Sequence, residues 1–314
     1  MQPSSRRRFL KSSLGAVAVA GFESAALGGP RARALDEGPA PTSPAGGIAS
    51  IAKGLVFSML PSKLSVSDRF QMARDCGFDV VQAPTTYDPR QAEELKKAAA
   101  AASVRIDSVM NMGHWEWPLS SGDPEIVQKS LHAARTSLEN AKLWGSDVVL
   151  IVPAVVNPQT SYRDAWVRSQ REIRKLIPLA EELSVVIGIE EVWNRFLLSP
   201  LEMASYIDGF ESARIRAWFD VGNVVLYGYP QDWIRTLGKR IVKLHVKDFK
   251  RREDGYEWVN LGDGDVDWAA VREALTEINY SGSAIAELEG GDSKNVAYFR
   301  DISRRLDRLV LGKA

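Results

Sequence analysis

Beyond residue 53, short apolar runs alternate with longer stretches in which apolar residues return at helical spacing. The short runs cover residues 54–60, 77–83, 104–110, 146–154, 185–190, 214–220, 240–246 and 283–288. Most lack the strict apolar–polar alternation of a half-exposed strand, which points to strands buried on both faces. The intervening stretches read as helices over 65–76, 89–102, 124–144, 162–183, 200–209, 267–279 and 295–311, with a short helix around Trp233. Asp123-Pro124 and Ser199-Pro200 each join an N-cap side chain to a proline at the first helical position.

Eight strands alternating with helices within one domain-sized length predict an α/β fold, a closed parallel (β/α)8 TIM barrel over residues 51–314. A doubly wound open sheet is the competing architecture. It usually carries a Gly-rich phosphate turn after its first strand, and MLPSKLS at 59–65 is not one.

Four stretches in the second half carry the candidate chemistry: GIEEVWNRF (188–196), AWFDVGN (217–223), VKLHVKDFKR (242–251) and AIAELEGGD (284–292). Each starts apolar and reaches a metal-competent side chain where the apolar run stops: Glu190, Asp220, His245 and Glu287. In a barrel of this kind, function sits at the C-terminal ends of the strands. These four residues end strands five to eight, so they form one arc and are expected to converge on a single divalent cation. Three carboxylates and one imidazole make an oxygen-rich site, suited first to Mn²⁺, with Mg²⁺, Co²⁺ or Zn²⁺ as other occupants. Any one of the carboxylates alone reads more readily as a cap or an ion pair, and a lone histidine as a satisfied surface or core residue. Four suitable residue types at four consecutive strand ends are hard to obtain by accident, which favours a shared site for the set.

Neighbouring residues need arbitration. Glu190 and Glu191 point to opposite faces of a strand, and Glu190 is chosen because it ends the apolar run. Glu287 and Glu289 share a face, and Glu287 lies deeper. Lys247 shares parity with His245 and is expected to point into the site, whereas Asp248 has the opposite parity and is expected to orient a neighbour. The loop NMGHWEWPL after the third strand offers His114 to a ligand hydroxyl or phosphate and Trp115 as an aromatic stacking face. Packing within that loop explains them equally well. LGDGDVDW (261–268) reads as a tight turn capping the next helix.

Composition narrows the function classes. The 314 residues are 45% hydrophobic and 25% charged, and forty basic residues balance forty acidic ones. No whole-chain field points to nucleic acid. A single cysteine, Cys76, excludes an internal disulfide or a thiolate cluster, and three histidines leave little for an imidazole-built site.

The N-terminus reads as a targeting segment. SRRRFLK at 5–11 resembles the twin-arginine export signal, and the apolar stretch 14–27 that follows is too short to span a bilayer stably. ARA at 32–34 fits a small-x-small cleavage site. The expected organisation is a signal peptide over 1–34, a Pro/Gly/Ala-rich linker over 35–50 and the barrel beyond. The twin-arginine machinery is then a partner and the periplasm the expected location. That route moves folded proteins, so an ion could be loaded before export.

The motifs IEEVWN, FDVGN, HVKDF, LGDGDVDW and AELEGGD together resemble the xylose-isomerase-like barrel superfamily, in its sugar phosphate isomerase/epimerase branch. The resemblance runs over the whole domain from about Lys53. It implies that Glu190, Asp220, His245 and Glu287 bind the metal and that Glu190 and Glu287 serve as the acid/base pair. It also implies that Arg251, six positions after the metal histidine, contacts substrate. The ketose epimerases carry a histidine where this chain has Asn223, which can donate a hydrogen bond to a hydroxyl but cannot shuttle a proton at neutral pH. They also read Glu-x-x-Asn-Arg-Phe-Glu after strand five. Here Trp193 looks inserted and Leu197 replaces the second glutamate. With the insertion placed elsewhere, Glu191 becomes the ligand.

The implied reaction is metal-dependent sugar isomerisation or epimerisation. A proton leaves the carbon next to a carbonyl, and an enediolate forms. A lyase acting on a keto-sugar or 3-keto-glycoside begins with the same step and is the first alternative. An exported, non-catalytic sugar-binding protein is the alternative of another class, and it would be expected to lack one of the two glutamates. An abasic-site endonuclease on a similar barrel needs a multi-zinc, histidine-rich site and a basic face, and this chain has neither. The expected partner is a small carbohydrate, and self-association into a homo-oligomer is left open.

Overall fold

The computed structural model describes residues 51–313. The twin-arginine segment, its cleavage site and the linker, all within 1–50, lie outside the described residues. The strands are β1 (Ala52–Val56), β2 (Val80–Pro84), β3 (Arg105–Met110), β4 (Val148–Ile151), β5 (Val186–Glu190), β6 (Ile215–Asp220), β7 (Ile241–Val246), β8 (Asp248–Arg252), β9 (Gly255–Val259) and β10 (Ser283–Ala286). Eight of them close into one barrel in the order β1-β10-β7-β6-β5-β4-β3-β2, and every pairing within it is parallel. The predicted architecture is therefore the observed one. β8 and β9 stand outside the barrel as an antiparallel hairpin.

The helices are α1 (Val66–Asp75), α2 (Pro89–Ala102), α3 (Pro124–Trp144), α4 (Tyr162–Arg174), α5 (Ile177–Leu183), α6 (Pro200–Asp208), α7 (Pro230–Leu237), α8 (Trp268–Glu277) and α9 (Val296–Leu309). Asp123 Oδ1 accepts from the Glu125 amide at 2.8 Å, and Ser199 Oγ accepts from the Glu202 amide at 3.2 Å. Both caps do what their cap-plus-proline spelling predicts. The single helix expected over 162–183 is broken into α4 and α5. The cause is Pro178, whose ring removes one amide donor and crowds the carbonyl of Arg174, the last residue of α4.

The hairpin is the second departure from expectation. The expected element order runs from β7 straight to the turn at 261–268. The spelling was available: FKR and YEW alternate on either side of a polar Arg-Glu-Asp-Gly turn. Asp248 fastens this region. Its carboxylate accepts from the amides of Phe249, Gly262 and Val266 and from Trp268 Nε1 at 2.9 Å, so it orients the 261–268 loop. Gly264 packs so tightly against Asp248 that a Cβ there would overlap the carboxylate.

The barrel interior is layered by strand parity. On β7, Lys243 and His245 share the inward face, and Lys247 follows just past the strand end. On β5, Gly188 lies two residues below Glu190, and a Cβ there would come 3.3 Å from Trp218 Cβ. That gap makes room for the fully buried Trp218 indole, whose ring meets His245 edge-on with centroids 4.8 Å apart. The indole is the floor on which the next layer rests.

Candidate metal centre

Glu190, Asp220, His245 and Glu287 come from β5, β6, β7 and the residue after β10, four neighbours around the barrel. β10 ends at Ala286, one residue short of Glu287, yet the Glu287 amide still donates to the Val246 carbonyl at 3.1 Å. The last ladder rung therefore fixes where Glu287 leaves the barrel. One ligand atom from each of the four residues lies within 4.8 Å of every other. From His245 Nδ1 the distances are 2.7 Å to Glu190 Oε1, 3.7 Å to Glu287 Oε2 and 3.9 Å to Asp220 Oδ2. Ions with oxygen ligands at about 2.0–2.6 Å set opposed donors about 4–5 Å apart, so a divalent cation fits this cage.

The surroundings hold the four donors in place. His245 Nε2 sits 2.8 Å from Gln82 Oε1 on β2, across the barrel. Gln82 Oε1 only accepts, so Nε2 donates to it, while Nδ1 donates to Glu190 Oε1 and is the ring nitrogen that a bound cation would take in place of that proton. Asp220 Oδ1 accepts from the amides of Gly222 and Asn223 at 2.8 and 3.0 Å, which leaves Oδ2 for the centre. Glu191 points away from the cage, and its Oε1 accepts from the Asp220 amide at 2.8 Å. Glu191 therefore positions Asp220 from behind, and Glu190 is the member of the pair at the cluster. Gln82 is the residue that sequence reasoning missed, because a neutral amide inside a buried strand carries no motif.

The charge balance is uneven. Three carboxylates meet beside Lys247, whose Nζ stands 2.8 Å from Asp220 Oδ2 and 2.7 Å from Glu287 Oε2, and beside His245. Burial would lower the His245 imidazole, but Glu287 and Glu190 hold it above its ordinary value. Burial pushes the Glu190 carboxyl up, and His245 only partly opposes this. Burial would also raise Glu287, but His245 and Lys247 outweigh it and hold the carboxyl below its usual range. Burial would lower Lys247, but Asp220 and Glu287 reverse this and keep it firmly protonated. Complete burial pushes Glu191 well above the carboxylate range, with Asp220 adding to it. Gly222 lets Lys247 reach its place, since a Cβ there would stand 2.5 Å from Lys247 Cγ.

The remaining candidates are distributed unevenly. His114 is buried beside the exposed Trp115, with ring centroids 5.3 Å apart. Burial holds its imidazole down at about 4, against the pull of Glu287. Asn223 Nδ2 donates to the Glu191 carbonyl at 2.9 Å, so its amide braces the loops after β5 and β6. Arg251 lies on the exposed β8, its amide donating to Asp265 Oδ2 at 2.7 Å and its guanidinium turned to the Val225 carbonyl. The hairpin instead presents Trp258, whose ring lies 5.1 Å from Lys247 Nζ. Trp193 packs behind Trp258 at 5.1 Å and donates its Nε1 to the Asn223 carbonyl at 2.8 Å. The residue that looked inserted is thus a brace between the β5 loop and the hairpin.

Residues 70–309 match the xylose isomerase-like TIM barrel family. A D-psicose 3-epimerase from Ruminiclostridium cellulolyticum is 26% identical over 263 residues, covering 76% of this chain and 84% of that protein. A D-psicose 3-epimerase from Enterocloster bolteae is 27% identical over 209 residues, covering 62% of this chain and 67% of that protein. The crystal structure of a D-psicose 3-epimerase studied in the presence of D-fructose superposes with a TM-score of 0.69 at 18% identity, covering 83% of this chain and all of that one. These relatives are sugar epimerases, and the shared barrel extends over nearly all of the described residues. The chain belongs to the xylose isomerase-like TIM barrel family.

Proposed function

We propose that this chain is a metal-dependent sugar epimerase or isomerase that works by proton transfer next to a carbonyl. The observation that carries the proposal is the convergence of four donor atoms within 4.8 Å at the C-terminal mouth of the barrel. In this reading Glu190, Asp220, His245 and Glu287 hold one divalent ion, with Mn²⁺ the occupant best suited to an oxygen-rich set. The ion, when bound, supplies Lewis-acid polarisation of the substrate carbonyl. Gln82 keeps His245 in the ligating tautomer, and Glu191 keeps Asp220 in place.

The two glutamates sit at the two ends of the arc of four strands, so a sugar lying over the arc has one on each side. One carboxylate takes the proton from the carbon next to the carbonyl, leaving an enediolate. The other delivers a proton to the opposite face, which inverts the centre. Lys247 faces the same mouth and donates to a substrate oxygen once its carboxylate partners are engaged elsewhere. The relatives' activity supports a ketose as the reacting sugar. The twin-arginine spelling at 5–11 supports export, with the reaction taking place outside the cytoplasm.

The test is proton exchange. The Mn²⁺-loaded domain is incubated in D₂O with D-fructose, D-psicose, D-tagatose, L-ribulose and 3-keto-glycosides, and proton NMR follows the carbons next to the carbonyl. Deuterium uptake with an inverted centre or a shifted carbonyl is the expected result. Uptake accompanied by a released leaving group would make the enzyme a lyase. Absence of uptake in every sugar would contradict the proposal.

A further inference from the structure

From Lys247 and Glu287 a cleft of about 750 Å³ runs outward between the β8–β9 hairpin and the segment that follows β10. Pockets of about 300–1,000 Å³ are the size that encloses drug-sized ligands, well beyond one sugar ring. The inner end belongs to the four-residue centre, through Glu287. The rest has no role in the chemistry described above.

Two aromatic residues mark its length. Trp258 lies at the inner wall, 42% exposed, with Trp193 and Phe249 packed against it at 5.1 and 5.4 Å. The ring is therefore fixed from behind and partly open to the cleft, with Lys247 Nζ 5.1 Å from its centroid, a stacking surface that loses little freedom on binding. Tyr298, in the first turn of α9, lies at the outer wall. Its hydroxyl donates to the Glu289 carbonyl at 2.6 Å, and Lys294 Nζ stands 4.8 Å from its ring.

The charges in the cleft argue against a phosphate. Its lysines are Lys247 and Lys294, and no arginine lines it. Lys247 is paired with Asp220 and Glu287, and Lys294 with Glu289 at 3.1 Å. A phosphoryl group would meet carboxylates in excess, without the guanidinium fork that recognises it.

We propose that the substrate is a glycoside whose reacting ring carries a ketone, in which that ring sits at the four-residue centre and a second ring lies along the cleft on Trp258, toward Tyr298. This rests on the reading of Glu287 and Lys247 as the reacting end. The second ring is a sugar or an aromatic group, since either offers a flat apolar face to an indole. Free monosaccharides and sugar phosphates are the poorer ligands.

The experiment is calorimetric binding to the Mn²⁺-loaded domain, with probes that carry no ketone to react. The probes are D-glucose, cellobiose, phenyl α- and β-D-glucopyranoside and D-glucose 6-phosphate, together with the galactose equivalents. One ring-bearing class is expected to bind at least about tenfold tighter than its free sugar, with the phosphate gaining nothing. Cellobiose ahead of the phenyl glucosides identifies a sugar as the second ring, and the reverse order an aromatic one. Trp258→Ala is expected to cut the gain to less than about threefold, while Trp258→Phe keeps most of it.

A phosphate that binds tightest would overturn the proposal. So would ring-bearing probes that bind no better than the free sugars, including no binding at all, or a folded Trp258→Ala protein that keeps the full gain. If Trp258→Ala fails to fold, Tyr298→Ala takes its place and must lower the affinity for ring-bearing probes alone. The exchange experiment separates the two readings. Ring preference without exchange in any keto-sugar removes the epimerase and leaves the cleft, and exchange without ring preference does the opposite.

Discussion

The two ends of the barrel interior are built from similar residues and behave in opposite ways. Toward the N-terminal end, Lys243 Nζ lies 2.6 Å from Asp107 and 2.9 Å from Asp147, and Ser283 Oγ donates to Asp107. Arg105 adds a longer pair to Asp107 at 3.8 Å. Every charge there has an opposite partner within reach. Two residues further along the same face of β7, His245 enters a cluster in which three carboxylates crowd around its own ring and Lys247. A closed network of this kind holds the strands in register, whereas an excess of buried negative charge has a use only when a cation supplies the balance. β7 thus carries a structural residue and a functional one a single pleat apart.

The sharpest way to break the comparison is to neutralise one carboxylate at the upper end. Glu287→Gln should lower proton exchange at the substrate carbon by about 10²–10⁴-fold, read by NMR in D₂O, because in the proposed mechanism it removes one of the two groups that move the proton. The same substitution should leave the lower network and the barrel's circular dichroism unchanged.

That site was largely legible in the chain. Apolar runs ending in Glu190, Asp220, His245 and Glu287 specify both the strands and their business ends, because parity and strand order fix which side chains can meet. What escaped notice is what has no periodic signature. Gln82 contributes through a contact 163 residues away from His245. The break at Pro178 was overridden by an amphipathic pattern that runs through both helices. The hairpin at 248–259 lies outside the alternation of strand and helix that organises the rest, so Trp258 went unremarked beside Lys247. Lys247 itself was placed inward by parity alone. Its pairing with Asp220 and Glu287 follows from the closure of the barrel.

Breaking the lower end should cost stability instead of chemistry. Asp107→Ala leaves Lys243 buried without its shorter partner, and removing one member of a buried pair costs about 3–5 kcal/mol. Chemical denaturation should show that loss, while the affinity for Mn²⁺ stays within about twofold of the wild-type value because the two clusters share no residue.

His114 sharpens the account through pH. Its folded value of about 4 lies below the ordinary histidine value of about 6.5, so the unfolded chain binds more protons between the two. The stability linked to a neutral His114 is complete above pH of about 6.5 and is lost as pH falls toward about 4. The full swing is on the order of 3 kcal/mol. His114→Asn should flatten that part of the stability–pH curve, measured by denaturation at a series of pH values.

The smallest expected effect is a gain. Glu190→Gln removes one of three crowded carboxylates while keeping its shape, so in EDTA the domain should become more stable by about 1 kcal/mol. A melting temperature that falls would mean that the upper cluster is already balanced without a cation.

The measurement that bears most directly on the contrast between the two ends is a calorimetric titration of the EDTA-stripped domain with Mn²⁺. The account predicts one ion per chain, binding lost in a His245→Ala, Glu190→Gln double variant, and binding retained in Asp107→Ala. No saturable binding in the wild-type domain, or equal loss on cutting either end, would contradict it.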